Sequence, residues 1–311
     1  MTQTTVGFIT AVLAAAVQAG TPLLYAALGE ILTERVGIIN LSVEGIMLVG
    51  AVSGFLATVA TKNLAVGILG AAIAGGIIAA IHAFLSVSLK VNQVVSGLSL
   101  SLFATGVSGY LGKPIIGVPA PVSFKPYPIP GLSKIPVLGQ MFFKHNLLVY
   151  GSYFLVAFLW YFLYKTRPGL HMRSVGESPR TADSLGINVN AVQYAYTIIG
   201  GALSGIAGAY LSLAYAPSWI EQMTAGRGWI AIALVIFAVW NPLRAMVGAY
   251  LFGGIEALGF RIQVVGATIS PIVLKMMPYI FTIAVLIITT ARSATYKTEA
   301  PQALGVPYER E

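Results

Sequence analysis

Two carboxylates stand out as groups that could do chemistry, because each lies in an otherwise apolar stretch. Glu44 follows Asn40-Leu41-Ser42-Val43, and Glu256 sits in Gly253-Gly254-Ile255-Glu256-Ala257-Leu258-Gly259. An ionisable side chain at membrane depth is costly, so each must face the bundle interior, a partner or a wet path. Such groups suit two kinds of work: hydrogen bonding to a polar solute in transit, or relay of a proton. Other chemistries find little support. With no cysteine, disulfides, thiolate metal sites and iron–sulfur ligation are excluded. His82, His145 and His171 lie far apart without i, i+4 spacing, which argues against a histidine metal site. Gly112-Lys113 is followed by Pro114 where a phosphate-binding loop needs Ser or Thr, so ATP is not bound through that motif.

The surroundings of Glu44 admit two compatible readings. Asn40, Ser42 and Gly45 interrupt the apolar pattern, and polar, Gly-containing backbone at membrane depth must be buried in protein or line a cavity. One reading is therefore a broken helix or re-entrant turn near 36–45 facing a pathway, as transporters build central sites. The other is local: Ser42 caps a helix starting at Val43, with Glu44 favoured in its first turn by the helix dipole. Asn92, Ser96 and Ser99 share one helical face by i, i+4, i+7 spacing, which serves either helix–helix hydrogen bonding or pathway lining. The candidate pathway residues are thus Asn40, Ser42, Glu44, Asn92, Ser96, Ser99 and Glu256. The glycine-rich stretches Gly67–Gly76 and Gly200–Gly208 read as packing surfaces.

The elements that must position these residues follow from composition. Of 311 residues 57% are hydrophobic and 9% charged, against roughly 25% charged in an average soluble domain. Charge-free runs of 29 residues before Glu30, 27 from Lys62 to Lys90, 22 from Lys90 to Lys113, 20 from Lys144 to Lys165 and 37 from Asp183 to Glu221 each reach the ~20 residues of a membrane-crossing helix. The expected fold is all-α, a polytopic transmembrane helical bundle forming a single domain over 1–311. Helices are predicted near 6–28, 43–61, 64–89, 92–112, 146–164, 189–216, 228–240, 244–262 and 272–291. That makes about nine, within a range of eight to ten, and Asn241-Pro242 breaks one apolar region into two. Continuous apolar runs argue against a β-barrel. The net charge of +8 reads as loop charge beside lipid headgroups, with no nucleic-acid partner.

Basic residues orient the bundle. Lys165, Arg167, Arg173 and Arg180 in one loop and Arg292, Lys297 and Arg310 in the tail put both on the cytoplasmic side, together with Arg35, Lys90 and Arg244, and the N-terminus outside. Lys and Arg then divide 10 inside to 8 outside, and arginine alone 7 to 2. Two connections are long enough to do more than link. The external segment 113–145 carries seven prolines, which predict an extended, stiff excursion. The cytoplasmic segment 165–190 contains Ser178-Pro179 as a helix start and Gly186 as its C-cap, predicting a short polar helix over 179–185. That segment reads as a docking element or as an ordinary loop.

Four stretches together carry a family resemblance: Gly29–Gly50 (GEILTERVGIINLSVEGIMLVG), Asn92–Gly97 (NQVVSG), Val175–Ile187 (VGESPRTADSLGI) and Pro301–Gly305 (PQALG). The chain resembles permease subunits of ABC importers, in the superfamily that handles branched-chain amino acids, ribose and simple sugars. It is most similar to the shorter of two permeases in nucleoside and simple-sugar systems fed by basic-membrane-protein-type lipoproteins. The resemblance implies a multi-pass plasma-membrane subunit paired with a second permease, two ATP-binding subunits and an extracytoplasmic substrate-binding lipoprotein. It implies no cofactor on this chain, with ATP held by the partners, and no enzymatic activity of its own. It also implies that Gly176, Glu177, Ser178, Pro179, Arg180, Ala182, Asp183 and Gly186 form the helix that engages the ATPase. A neutral polar solute is expected: a nucleoside first, a simple sugar second, a branched-chain amino acid third. A proton-coupled carrier using Glu44 and Glu256 is the different-class alternative, and a structural scaffold is disfavoured by the charged, broken segment at 34–45.

Reporter fusions test the topology. Fusions at Pro126, Ser178 and Thr298 are expected to report outside, inside and inside. An outside signal at Ser178 would overturn both the orientation and the docking role of its segment.

Overall fold

The computed structural model describes residues 2–264, 273, 276, 277, 279–284, 287 and 300–309. The elements in order are α1 (Thr2–Arg35), α2 (Val43–Thr61), α3 (Leu64–Ala83), α4 (Gln93–Gly112), α5 (Leu138–Phe142), α6 (Leu147–Lys165), α7 (Arg167–Glu177), α8 (Pro179–Ser184), α9 (Val189–Tyr210), α10 (Arg227–Phe237) and α11 (Pro242–Val264). Both α3 and α9 continue into a single wider π turn, Phe84–Ser88 and Leu211–Tyr215. Among the described residues, six helical spans, Gly7–Arg35, Val43–Thr61, Leu64–Ser88, Gln93–Ile115, Leu147–Lys165 and Val189–Tyr215, are long and apolar enough to cross a bilayer. The protein is an all-α, multi-pass membrane bundle. The helix expected at 272–291 falls largely outside the described residues, although 279–284 are helical.

Helix α1 lies at the centre, packed along α9, α10 and α11, while α9 also packs on α2 and α3. The glycine-rich stretches do provide these contact surfaces. A Cβ on Gly208 would sit 1.8 Å from the Met47 carbonyl oxygen, one on Gly29 2.4 Å from that of Gly200, and one on Gly75 2.4 Å from that of Gly201. Lipid tails give helices no hydrophobic reason to associate, so this close backbone approach, with the van der Waals contact it brings, holds α9 against three neighbours.

The first helix runs seven residues beyond its expected end at 28, through Glu30, Glu34 and Arg35, all buried. Each of these side chains finds a hydrogen-bond partner outside its own helix, which lets the helix carry them inward. Glu30 Oε1 accepts from the Asn40 amide at 3.0 Å, and Glu34 Oε2 accepts from Trp240 Nε1 at 2.5 Å. Arg35 donates to Tyr164 Oη at 3.3 Å and to the Trp240 carbonyl at 3.2 Å.

The segment 113–145 is not a simple extended excursion. It contains α5 and a two-residue antiparallel pairing of β1 (Tyr127–Pro128) with β2 (Lys144–His145), and it folds onto the end of α9 through Phe124 N–H to Leu213 O and Ala120 N–H to Pro217 O, both 3.0 Å. Seven prolines disfavour long helix but leave carbonyls free to accept, and the chain between them still donates. His145 is buried here and donates from Nε2 to the Met141 carbonyl at 2.7 Å. Burial lowers its pKa from the ordinary value, so the imidazole is neutral at pH 7.

At the opposite end the tail 300–309 laces three elements together. Ala303 N–H donates to Gly176 O of α7 at 2.9 Å, Gly305 N–H donates to Gly37 O at 3.0 Å, and Lys90 pairs with Glu309 at 3.3 Å. Gly305 and Gly37 both hold left-handed backbone, at φ +78° and +89°, which non-glycine residues adopt only at a cost. Ending the chain after Glu299 removes two backbone hydrogen bonds, each about 1 kcal/mol net. The purified protein is expected to melt a few degrees lower, as read by thermal unfolding in detergent. An unchanged Tm would show that the tail adds nothing to the fold.

Candidate translocation site and coupling surface

Between α1 and α2 the chain leaves helical geometry at 36–42 and re-enters beside α1. The broken segment expected near 36–45 is thus present. Its polar backbone groups are met from all sides. Val36 O accepts from Gln193 Nε2 (3.1 Å), Ile39 N–H donates to Gln93 Oε1 (2.7 Å), and Ile39 O accepts from His82 Nε2 (2.9 Å). Together with the bonds to Glu30 and Gly305, four helices and the tail hold one turn. Such pairing is what buried non-helical backbone needs away from water.

The local-cap reading fails in detail. Ser42 stands at the N-cap position of α2, but its side chain caps no backbone amide and instead donates to Asn40 Oδ1. Asn40 Oδ1 also accepts the Ser42 N–H at 3.0 Å, so the two side chains close the turn on itself. Glu44 does lie in the first turn of α2, yet it caps a different helix. Its Oε1 accepts from Thr224 Oγ1 at 2.5 Å and from Gly226 N–H at 2.9 Å, and its Oε2 accepts from Gly228 N–H at 2.6 Å. These donors form the N-terminus of α10, a helix of 11 residues that begins within the bundle. A carboxylate on free helix N–H groups is favoured by the aligned peptide dipoles, and its hydrogen bonds are charge-assisted. Asn40 and Ser42 are fully buried and Glu44 is 9% exposed.

The stripe on α4 is rotated from the expected face. Ser96 is buried and bonds His82 Nδ1 at 3.1 Å, but Asn92 is exposed and caps α4 by accepting from Val94 and Val95 N–H, and Ser99 is exposed. Gly97 decides the rotation: a Cβ there would lie 2.7 Å from Leu41 N, so this edge must face the turn. The inward arc is Gln93, Ser96, Gly97, Leu100, Ser101 and Ala104.

Glu256, on α11, pairs with Arg227 at the first residue of α10, and the two side chains are 18% and 12% exposed. Arg227 also donates to the Met223 and Thr224 carbonyls at 3.3 and 3.1 Å and lies 5.8 Å from the Tyr215 ring centre. Sequence reasoning missed Arg227, treating it as the edge of the helix at 228–240. The available signal was its place between Gly226 and Gly228 in the apolar region from Glu221 to Arg244. Glu44, Arg227 and Glu256 therefore converge on one short helix start, whereas Asn92 and Ser99 stand apart.

The segment 165–190 forms two helices, not one. Thr166 accepts from Gly169 N–H and Pro168 fits the first turn, which starts α7, an 11-residue helix that the arginines and glycines disguised as loop. Ser178 precedes α8 as expected, but its hydroxyl bonds Thr181 Oγ1 at 2.8 Å and caps no backbone amide. Gly186, at φ +84°, ends α8 with Ile187 N–H to Ala182 O (3.0 Å) and Gly186 N–H to Asp183 O (2.8 Å), the paired bonds of a Schellman motif. Ala182 and Gly176 anchor the unit inward, Gly176 with a would-be Cβ 2.1 Å from Arg35 O. Glu177 and Arg180 are exposed, Ser178, Pro179 and Asp183 half-buried. Leu185, which the sequence did not single out, is 75% exposed beside them. Cavities of about 560 and 750 Å³ flank this unit, the first bordered by Lys90, Asp183, Asn188 and Tyr308 and the second by Leu170, Leu185, Ile187 and Tyr196.

A bundle of apolar spans, a buried polar turn, a short internal helix clamped by a carboxylate and a capped polar helix pair at one end define a polytopic membrane protein. Residues 11–290 match the family described as branched-chain amino acid transport system / permease component, and the chain belongs to it. It is 42% identical to TsgC13 of Haloferax volcanii, named as a glucose ABC transporter permease, over 98% of this chain and 99% of that one. It is 36% identical to the nucleoside ABC transporter permease NupC of Lactococcus lactis, over 93% of each chain. It is 34% identical to the guanosine ABC transporter permease NupQ of Bacillus subtilis, over 92% of each chain. No solved structure matches it.

The Glu44 clamp has a measurable weight. Glu44→Leu leaves three donors at the α10 start without an acceptor, each costing about 1–3 kcal/mol. Glu44→Gln keeps one carbonyl oxygen and loses one bond. Purified Leu protein is expected to melt well below wild type with no uptake, and Gln protein to melt between the two with substantial uptake. A folded Glu44→Gln protein as inactive as Leu would instead make Glu44 a proton carrier.

Proposed function

We propose that this chain is the membrane-spanning permease subunit of an ATP-driven importer of nucleosides. The observation that carries the reading is the exposed α8, terminated by its Schellman motif and buttressed by α7, on a chain that belongs to the permease family. The nucleoside assignment is supported by similarity along nearly the whole chain to the two permeases named for nucleosides and guanosine. A simple sugar is the second reading, favoured by the 42% identity to the glucose-named relative.

In this reading the chain hydrolyses nothing. ATP binds and is cleaved on two partner subunits, and a binding lipoprotein delivers the solute at the far side. Glu177, Arg180, Asp183 and Leu185 form the surface that enters a groove of an ATPase subunit. Closure of the ATPase pair displaces α7 and α8, which bear directly on Arg35 and, through the tail, on Gly37. The bundle then alternates between two openings by rigid-body movement of its packed elements. The N-terminus lies outside and the C-terminus in the cytoplasm. A second permease completes the membrane unit, because an ion pair left 12–18% exposed on one subunit is too costly to turn to lipid.

Since the chain has no cysteine, single-cysteine crosslinking tests the contact directly. Ser178→Cys and Ser184→Cys are expected to trap an ATPase subunit in assembled membranes, and replacing Arg180 together with Asp183 to cut uptake more than ATP hydrolysis. If neither cysteine traps an ATPase while other loops at that end do, the assignment fails.

A further inference from the structure

We propose that Tyr215, Arg227, Glu256 and Tyr279 form the intramembrane station that contacts the solute, a neutral molecule presenting vicinal hydroxyls beside a flat face. The inference rests on the permease reading above and assigns it a site. Glu44 is excluded from that role by its own bonds: both oxygens are committed to the start of α10, and its side chain is buried. Asn40 and Ser42 are likewise closed on each other. The Arg227–Glu256 pair differs in being open to its surroundings.

What surrounds the pair specifies its ligand. Tyr215 and Tyr279 are 37% and 43% exposed, with the Arg227 guanidinium over the first and the Tyr279 hydroxyl donating to Ala225 O at 2.9 Å. Two partly exposed tyrosines thus stand beside one carboxylate and one guanidinium. Arg227 Nε carries a proton with no acceptor among the described residues. A paired carboxylate and guanidinium offer acceptors and donors without net charge, so the station grips hydroxyls and carbonyls and gives an ion no favoured well. The tyrosine faces suit a planar base or the apolar face of a sugar ring. A ribonucleoside and a hexose share this chemistry, and the experiment separates them.

The transporter reconstituted with its partner subunits and binding protein is assayed for uptake of uridine, guanosine and glucose, with ATP hydrolysis followed in parallel. Solute moved per ATP is expected to fall at least fivefold in Tyr215→Ala and Glu256→Gln, and less in Tyr215→Phe, which keeps the ring. Val247→Ala, on the exposed side of α11, is expected to leave the ratio unchanged. Uptake of the nucleosides or of glucose by wild type names the source of the ligand chemistry. An unchanged ratio in both assembled variants overturns the proposal. So does a parallel loss of hydrolysis and uptake, or failure of both variants to assemble, since either makes the cluster a coupling or folding element. Wild-type uptake driven by a pH gradient and indifferent to ATP defeats the permease reading itself and is distinguished by that control.

Discussion

Backbone that leaves helical geometry while buried must find its hydrogen-bond partners inside the protein, and the turn at 36–42 imposes that demand on the rest of the bundle. Its amides and carbonyls are met by Glu30 from α1, His82 from α3, Gln93 from α4, Gln193 from α9 and Gly305 from the tail. An unpaired buried polar group costs more than a typical hydrogen bond returns, so these five positions are coupled through the turn they serve. The arrangement also explains polar residues on helices otherwise facing their neighbours through glycine and alanine. His82 and Ser96, for example, serve the turn and each other, at the level where α3 and α4 meet.

The same constraint divides labour among the charged groups. A carboxylate accepting three donors at a helix start is structural, because releasing it would leave those donors bare. Glu44 therefore holds α10 within the bundle. Arg227 and Glu256, beside the same helix start, neutralise each other while remaining accessible. A transport path needs polar groups that can exchange partners with a passing solute, and a partly exposed pair can do so where a fully buried one cannot.

At the end that carries α7 and α8, packing joins these helices to the turn at 36–42 and to the end of α10. Gly176 rests on Arg35, the tail spans from Gly176 to Gly37, and Arg35 reaches Trp240 after α10. A displacement of α7 thus meets both ends of the internal machinery, the turn leading to Glu44 and the helix that Glu44 caps. Close-packed contacts of this kind shift between discrete arrangements in preference to deforming gradually, which suits the alternation between two openings proposed above.

Much of this was legible in the sequence. Apolar runs bounded by charges marked the spans, Asn241-Pro242 marked a break, Ser178-Pro179 and Gly186 bracketed α8, and Asn40-Ser42-Glu44 located the non-helical turn, because local backbone preference and the cost of polar atoms in lipid act along the chain itself. Three things were settled only in the tertiary structure. The first helix continues through Glu30, Glu34 and Arg35 because Asn40, Trp240 and Tyr164 come to meet them, and Trp240 is 205 residues from Arg35. The face of α4 that packs inward is set by Gly97 against Leu41, which buries Ser96 and leaves Ser99 exposed. The role of Glu44 changed from first-turn residue of its own helix to cap of another because Gly226 and Gly228 lie over 180 positions away. Charges and glycines announce that a partner is needed, and only packing decides which one they receive.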